Sequence, residues 1–127
     1  MALSIEYSKG TLNDVSQLKF AEGLSVLGES IEFNVLGMGH EYWVAVESDT
    51  VVGIIVLGKG NQNELRIMLL KVAPERKNEG VGSALLRSVI ENYPEYKLYV
   101  IPFEGAEDFY RHLGFQKVSR WEMRRAP

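Results

Sequence analysis

Residues Val72-Ala73-Pro74-Glu75-Arg76-Lys77-Asn78-Glu79-Gly80-Val81-Gly82-Ser83-Ala84-Leu85-Leu86 confine the fold more than any other stretch of this chain. An apolar run that reads as a strand over Glu64 to Val72 stops at a Pro-Glu turn, and a glycine-rich turn then opens an apolar helix. Within Gly80 to Tyr93, the residues Val81, Leu85, Leu86, Val89, Ile90 and Tyr93 recur at helical spacing on one broad face, while Ser83, Arg87 and Glu91 fall on the other. Pro94 ends the helix, and Lys97 to Ile101 follows as a short buried strand. Two strands joined through one helix make a parallel βαβ unit with a right-handed crossover.

The turn also has a chemical consequence. A helix that begins at glycine leaves its first N–H groups without intrahelical partners and without a side chain in front of them. The positive end of the helix dipole points the same way, so the position suits an anion. Gly80 and Gly82 admit a pyrophosphate close to the main chain, and Arg76 and Lys77 place two cations beside it. The ligand implied is a phosphorylated cofactor.

Two common phosphate motifs do not fit. No Gly-Lys-Ser/Thr follows Gly80, as a P-loop requires, and Leu85 stands where a dinucleotide fingerprint needs its third small residue. The segment instead resembles motif A of the GNAT superfamily of N-acetyltransferases, Arg/Gln-x-x-Gly-x-Gly/Ala after a strand and a Pro-Glu turn. Gly80 and Gly82 match it, Lys77 stands in place of its Arg or Gln, and Asn78 stands where the family often has glycine. A second segment, Ala106-Glu107-Asp108-Phe109-Tyr110-Arg111-His112-Leu113-Gly114-Phe115, resembles the later family signature Ala-x-x-Phe-Tyr-x-x-x-Gly-Phe in order and spacing. Its local physics agrees: Gly114 stops a short helix as its C′ residue, and Phe109 and Leu113 share a buried face. Phe103 occupies a position where family members often carry an asparagine that contacts the cofactor arm.

The resemblance implies a GNAT-like fold, a mixed sheet of six or seven strands with helices on both faces in a single domain over residues 1–127. It implies acetyl-CoA as cofactor, transfer of its acetyl group to a primary amine, and a pyrophosphate site made by Lys77, Asn78, Gly80, Val81, Gly82 and Ser83. The main chain of Leu70 and Val72 would bond the pantetheine arm as an added strand would and stabilise the oxyanion. Tyr110 matches the tyrosine whose hydroxyl serves as acid for the departing thiolate. Glu64, at the start of the strand leading into motif A, is the candidate base, with Glu41 or a water chain as alternatives. A noncatalytic acyl-CoA-binding module on the same fold is the competing function.

Around this unit the chain reads as follows. Leu3 to Ser8 is a first strand, and Thr11 or Asn13 caps a helix from Asp14 to Leu27. Residues 28–40 form a loop or short helix, Tyr42 to Glu47 and Val51 to Leu57 a hairpin about a Ser48-Asp49 turn, and Phe115 to Arg124 one or two closing strands. Edge strands near the C-terminus offer pairing between subunits as a homodimer. His40 and His112 lack metal-ligand spacing, and Arg124 and Arg125 read as solubilising charge.

Composition narrows the partners. With no cysteine, the chain offers neither a disulfide framework nor a thiol nucleophile. No apolar run reaches the length of a membrane span, and the first residues lack a signal-peptide pattern, so the expected location is cytoplasmic, with no membrane partner. A net charge of −3 argues against nucleic acid. Residues 1–63 hold three lysines against eight acids, and residues 64–127 hold eleven basic against nine acidic residues. An acidic first half suits a cationic amine, as the second half suits an anionic cofactor.

Overall fold

The structure is a computed structural model and describes residues 5–10, 25–26, 29–30 and 41–127. One seven-stranded mixed sheet organises it, built from β1 (Ile5–Lys9), β4 (Glu41–Glu47), β5 (Thr50–Lys59), β6 (Glu64–Val72), β7 (Lys97–Val100), β8 (Gln116–Lys117) and β9 (Met123–Arg125). Their order across the sheet is β1-β4-β5-β6-β7-β9-β8. Only β6 and β7 run parallel, joined by α1 (Val81–Asn92); a second helix, α2 (Glu107–His112), connects β7 to β8. The strands β2 (Ser25–Val26) and β3 (Glu29–Ser30) pair with each other alone.

The central hairpin, β4 and β5, buries most of its residues. β5 is buried along all but its end residues, which matches its nearly continuous apolar sequence and its place between β4 and β6. Ser48 and Asp49 both take positive φ, 47° and 64°, the backbone of a two-residue turn whose twist suits antiparallel strands. On one face Trp43, Ile55, Leu57, Leu65 and Ile67 meet Leu85, Leu86 and Val89 of α1, together with Tyr110, Leu113 and Phe115. On the other, Tyr42, Val44, Ile54, Val56 and Leu69 form a separate cluster. Gly53 sets the approach of α1, since a Cβ there would meet Val81 Cγ1 at 3.3 Å and Ala45 Cβ at 3.4 Å.

The pairing of β6 contains the feature that shapes the site. Val56 pairs with Leu69 but Leu57 pairs with Ile67, so Met68 is an extra residue, a β-bulge. Its effect is visible in side-chain parity: Leu65, Ile67 and then Leu70 face the α1 side, while Leu69 joins the opposite cluster. The parallel ladder with β7 ends at Ile67 and Val100, directly before the bulge. From Leu69 to Val72 the strand has β5 on one flank and no ladder partner on the other among the described residues.

Most expected elements lie within a residue or two of those observed, and β6 coincides with its expected span. Ser25 and Val26 are a correction: they form a strand rather than the end of a helix reaching Leu27. Glycine at 23 and the weak helix formers Ser25 and Val26 disfavour helix there. The rest of that helix, most of the loop of residues 28–40 with His40, and Leu3 and Ser4 lie outside the described residues. Both described helices contribute to the face of Trp43 and Ile55. Among the described residues, no helix is long and apolar enough to cross a membrane.

Candidate active site

A cleft of about 660 Å³ opens where β6 and β7 part. One wall is β6 itself, through Leu69, Leu70, Lys71 and Val72. The upper end is the loop after β6 and the start of α1, with Arg76, Lys77, Asn78, Gly80, Val81, Gly82 and Ser83. Phe103, Ala106, Phe109 and Tyr110 complete it from the β7–α2 side. The cleft thus brings together Leu70, Val72, Lys77, Asn78, Gly80, Val81, Gly82, Ser83 and Tyr110, all singled out in the sequence.

The upper end is built from backbone. Pro74 opens a 3₁₀ turn, Pro74–Arg76, and the chain then takes φ of +64° at Asn78 and +82° at Gly80 before entering α1. Asparagine is among the few residues other than glycine that tolerate this left-handed region, which accounts for Asn78 at a glycine-favouring position. No side chain caps α1, so its first N–H groups are open to a ligand. A Cβ at Gly80 would meet nothing within 4 Å, while one at Gly82 would lie 3.6 Å from Val72 Cγ2 and 3.7 Å from the Phe109 ring. Gly82 therefore stands at the narrow point between β6 and α2.

Charge at this end is uneven. Arg76 is not a free cation: its Nε donates to Glu47 Oε1 at 3.1 Å, its Nη2 donates to the same oxygen, and Glu79 Oε2 lies 3.8 Å away. The Glu47 contact raises the guanidinium pKa further above its ordinary value. Glu79 does not line the cleft. Lys77 lines it and has no ion pair with a described residue.

Tyr110 lies on the α2 wall of the cleft. It projects from α2 with 7% of its surface exposed, its ring edge-on to Phe109 at 5.0 Å and to Phe115 at 5.3 Å. The end of α2 fixes that placement. Gly114, at φ +92°, lets Phe115 N–H donate to Tyr110 O at 3.1 Å and Gly114 N–H to Arg111 O at 3.0 Å, the two bonds of a Schellman motif. Burial alone pushes the Tyr110 phenol up to about 12, so the side chain holds its proton across the physiological range.

Glu64 is not brought to the cleft. It begins β6, six residues before Leu70, a separation of roughly 20 Å along a strand. Its Oε1 accepts the Tyr99 hydroxyl at 3.1 Å. Glu41 is also elsewhere: its carboxylate accepts the Tyr93 hydroxyl and pairs with Lys9 and Lys59 at 3.6 and 3.4 Å. The Tyr93 hydrogen bond is the largest cause of a lowered pKa, which makes Glu41 a weaker base. No carboxylate lines the cleft among the described residues.

Several contacts were not legible as site features. Leu69 and Lys71 line the cleft beside the expected Leu70 and Val72. Phe109, half-buried, presents its ring to the cleft as well as to the core. Phe103 is 75% exposed on the rim. Arg124 stacks on Tyr99 at 4.6 Å and Arg125 Nε donates to Leu113 O at 2.9 Å, so neither is merely solubilising charge. His112 is a surface residue.

A family model described as an acetyltransferase (GNAT) domain matches residues 38–117, more than half of the chain. No curated protein matches it in sequence. Among solved structures, a GNAT-family acetyltransferase from Staphylococcus aureus Mu50 is similar at 21% identity and TM-score 0.72, covering 96% of this chain and 98% of that one. A GNAT-family acetyltransferase from Brucella melitensis, solved with acetyl-CoA, is similar at 19% identity and TM-score 0.75, covering 98% and 89%. Escherichia coli ElaA is similar at 17% identity and TM-score 0.76, covering 96% and 99%. These structural likenesses are likenesses of fold.

Proposed function

Because this chain belongs to the GNAT acetyltransferase family, we propose that it transfers an acetyl group from acetyl-CoA directly to a primary amine within a ternary complex. The observation that carries the reading is the placement of Tyr110, a buried phenol that keeps its proton, on the wall of a cleft that an uncapped helix start also lines. These two features suit the two ends of the cofactor: pyrophosphate at the open N–H groups, thioester near the phenol.

The residues fit that ligand. Lys77 supplies the unpaired charge, Asn78, Gly80 and Gly82 let the phosphates approach the main chain, and Val81 and Ser83 complete the helix start. Leu70 and Val72 lie on the unpaired flank of β6, where their main-chain groups bond the pantetheine arm in place of a strand. Backbone N–H groups of that segment stabilise the oxyanion as the amine attacks.

Acetyl-CoA supplies the activated acyl group. The amine nitrogen bonds to the carbonyl carbon, the carbon–sulfur bond breaks, and Tyr110 gives its proton to the departing sulfur. With Glu64 and Glu41 held elsewhere, the amine loses its proton to water reached through the open cleft, the alternative without a dedicated base.

A second reading, a noncatalytic acyl-CoA-binding module, is favoured by the absence of a carboxylate from the described cleft walls. Thiol release from acetyl-CoA across a panel of primary amines separates the two. Amine-dependent release is expected; cofactor binding without such release would select the second reading.

A further inference from the structure

We infer that Glu47 is a positioning residue for cofactor binding, acting through Arg76 to hold the phosphate-binding loop in its ligand-ready shape. The inference rests on the reading of the cleft as a coenzyme A site. Glu47 is the last residue of β4, far from the cleft in sequence and not among the residues lining it. Its carboxylate is mostly buried, with 12% of the side chain exposed, and its Oε1 receives both Nε and Nη2 of Arg76.

This contact ties the loop to the sheet next to its two left-handed positions. Arg76 ends the 3₁₀ turn, and within four residues the chain passes through left-handed backbone at Asn78 and Gly80. Within the loop the local bonds are few: Arg76 N–H to Ala73 O at 2.9 Å and Lys77 N–H to Pro74 O at 3.3 Å. The Glu47 clamp is the long-range side-chain ion pair of residues 74–80 among those described, and the weaker Glu79 contact reinforces it from within the loop.

The clamp also sets the charge of the site. By neutralising Arg76, Glu47 leaves the pyrophosphate to the backbone N–H groups and Lys77. Its function is then geometric: it aims donors, and the gain appears as affinity for the part of the ligand that carries the pyrophosphate.

Calorimetric titration of wild type, Glu47→Gln, Arg76→Gln and the double variant with coenzyme A tests this. Glu47→Gln is expected to raise the dissociation constant about tenfold, the equivalent of roughly 1.4 kcal/mol. The double variant is expected to bind no worse than Arg76→Gln, because one residue acts through the other. Turnover of S-acetyl-N-acetylcysteamine, a thioester without pyrophosphate, is expected to be unchanged by Glu47→Gln, whereas a general structural defect would lower it. Unchanged coenzyme A affinity in Glu47→Gln, additive effects in the double variant, or an equal loss with the short thioester would each overturn the role of Glu47. If wild type itself has no affinity for coenzyme A, the reading of the cleft fails, and this inference fails with it.

Discussion

Phe115 holds Tyr110 twice, by a main-chain hydrogen bond of 3.1 Å to its carbonyl and by a ring contact at 5.3 Å. Both depend on the left-handed backbone of Gly114 between α2 and β8. A Cβ at Gly114 would also meet Arg125 Nε at 3.2 Å, the atom that donates to Leu113 O. Gly114→Ala is therefore expected to cost about 1–2 kcal/mol in a denaturant titration. It should also lower kcat for acetyl transfer while leaving coenzyme A affinity near wild type, because the strain falls at the Tyr110 end. A loss of affinity with kcat intact would place the defect at the wrong end of the cleft.

Gly82 makes the opposite kind of prediction. Its helical position tolerates alanine, and the added Cβ would make ordinary contacts with Val72 and Phe109. Gly82→Ala should keep activity and stabilise α1 by up to about 1 kcal/mol. Gly82→Leu should fill the narrow point and abolish coenzyme A binding in titration calorimetry, with circular dichroism unchanged. Retained binding by the leucine variant would mean that the ligand runs elsewhere.

The pH profile separates acid from base. A free alkylamine becomes available as pH rises toward about 10.4, and Tyr110 stays protonated until about 12. The rate at saturating acetyl-CoA should therefore climb from pH 7 to pH 10 without a descending limb. Glu64→Gln should leave it within about twofold, since its carboxylate serves Tyr99 instead. A fall below pH 10 would show that another group supplies the proton.

The same shift is linked to stability. Tyr110 binds its proton more tightly in the folded chain than in the unfolded one, whose phenol has its ordinary value near 10. The stabilisation is complete below about pH 10 and is lost as pH rises toward 12. Tyr110 should account for up to about 2–3 kcal/mol of the stability lost over that window. Tyr110→Phe should lack this component, and denaturant titrations at pH 9 and 11 read the difference.

The βαβ unit was legible because its signals are local: an apolar period of 3.6 in α1, glycines before it and Pro94 after it. Gly114 as the stop of α2 was legible for the same reason. The bulge at Met68 was not, because Ile67-Met68-Leu69-Leu70 is apolar at every position and carries no alternation from which to read a slipped register. That bulge accompanies the end of the β7 pairing, and with it the open flank of β6. Glu64 looked suitable because it begins the strand that enters the glycine turn, but a strand's length separates its two ends. The Glu47 and Arg76 pair joins residues distant in sequence, and no local pattern announces it.

The most direct measurement compares thiol release from acetyl-CoA, with and without amine, for wild type and Tyr110→Phe, alongside the coenzyme A dissociation constant of each. Wild type should release thiol only with amine present. The variant should bind coenzyme A within about twofold of wild type, since the Tyr110 hydroxyl has no hydrogen-bond partner among the described residues, and turn over about 100-fold more slowly. Equal turnover by the two proteins, or tight binding with no amine-dependent release by wild type, would contradict the account.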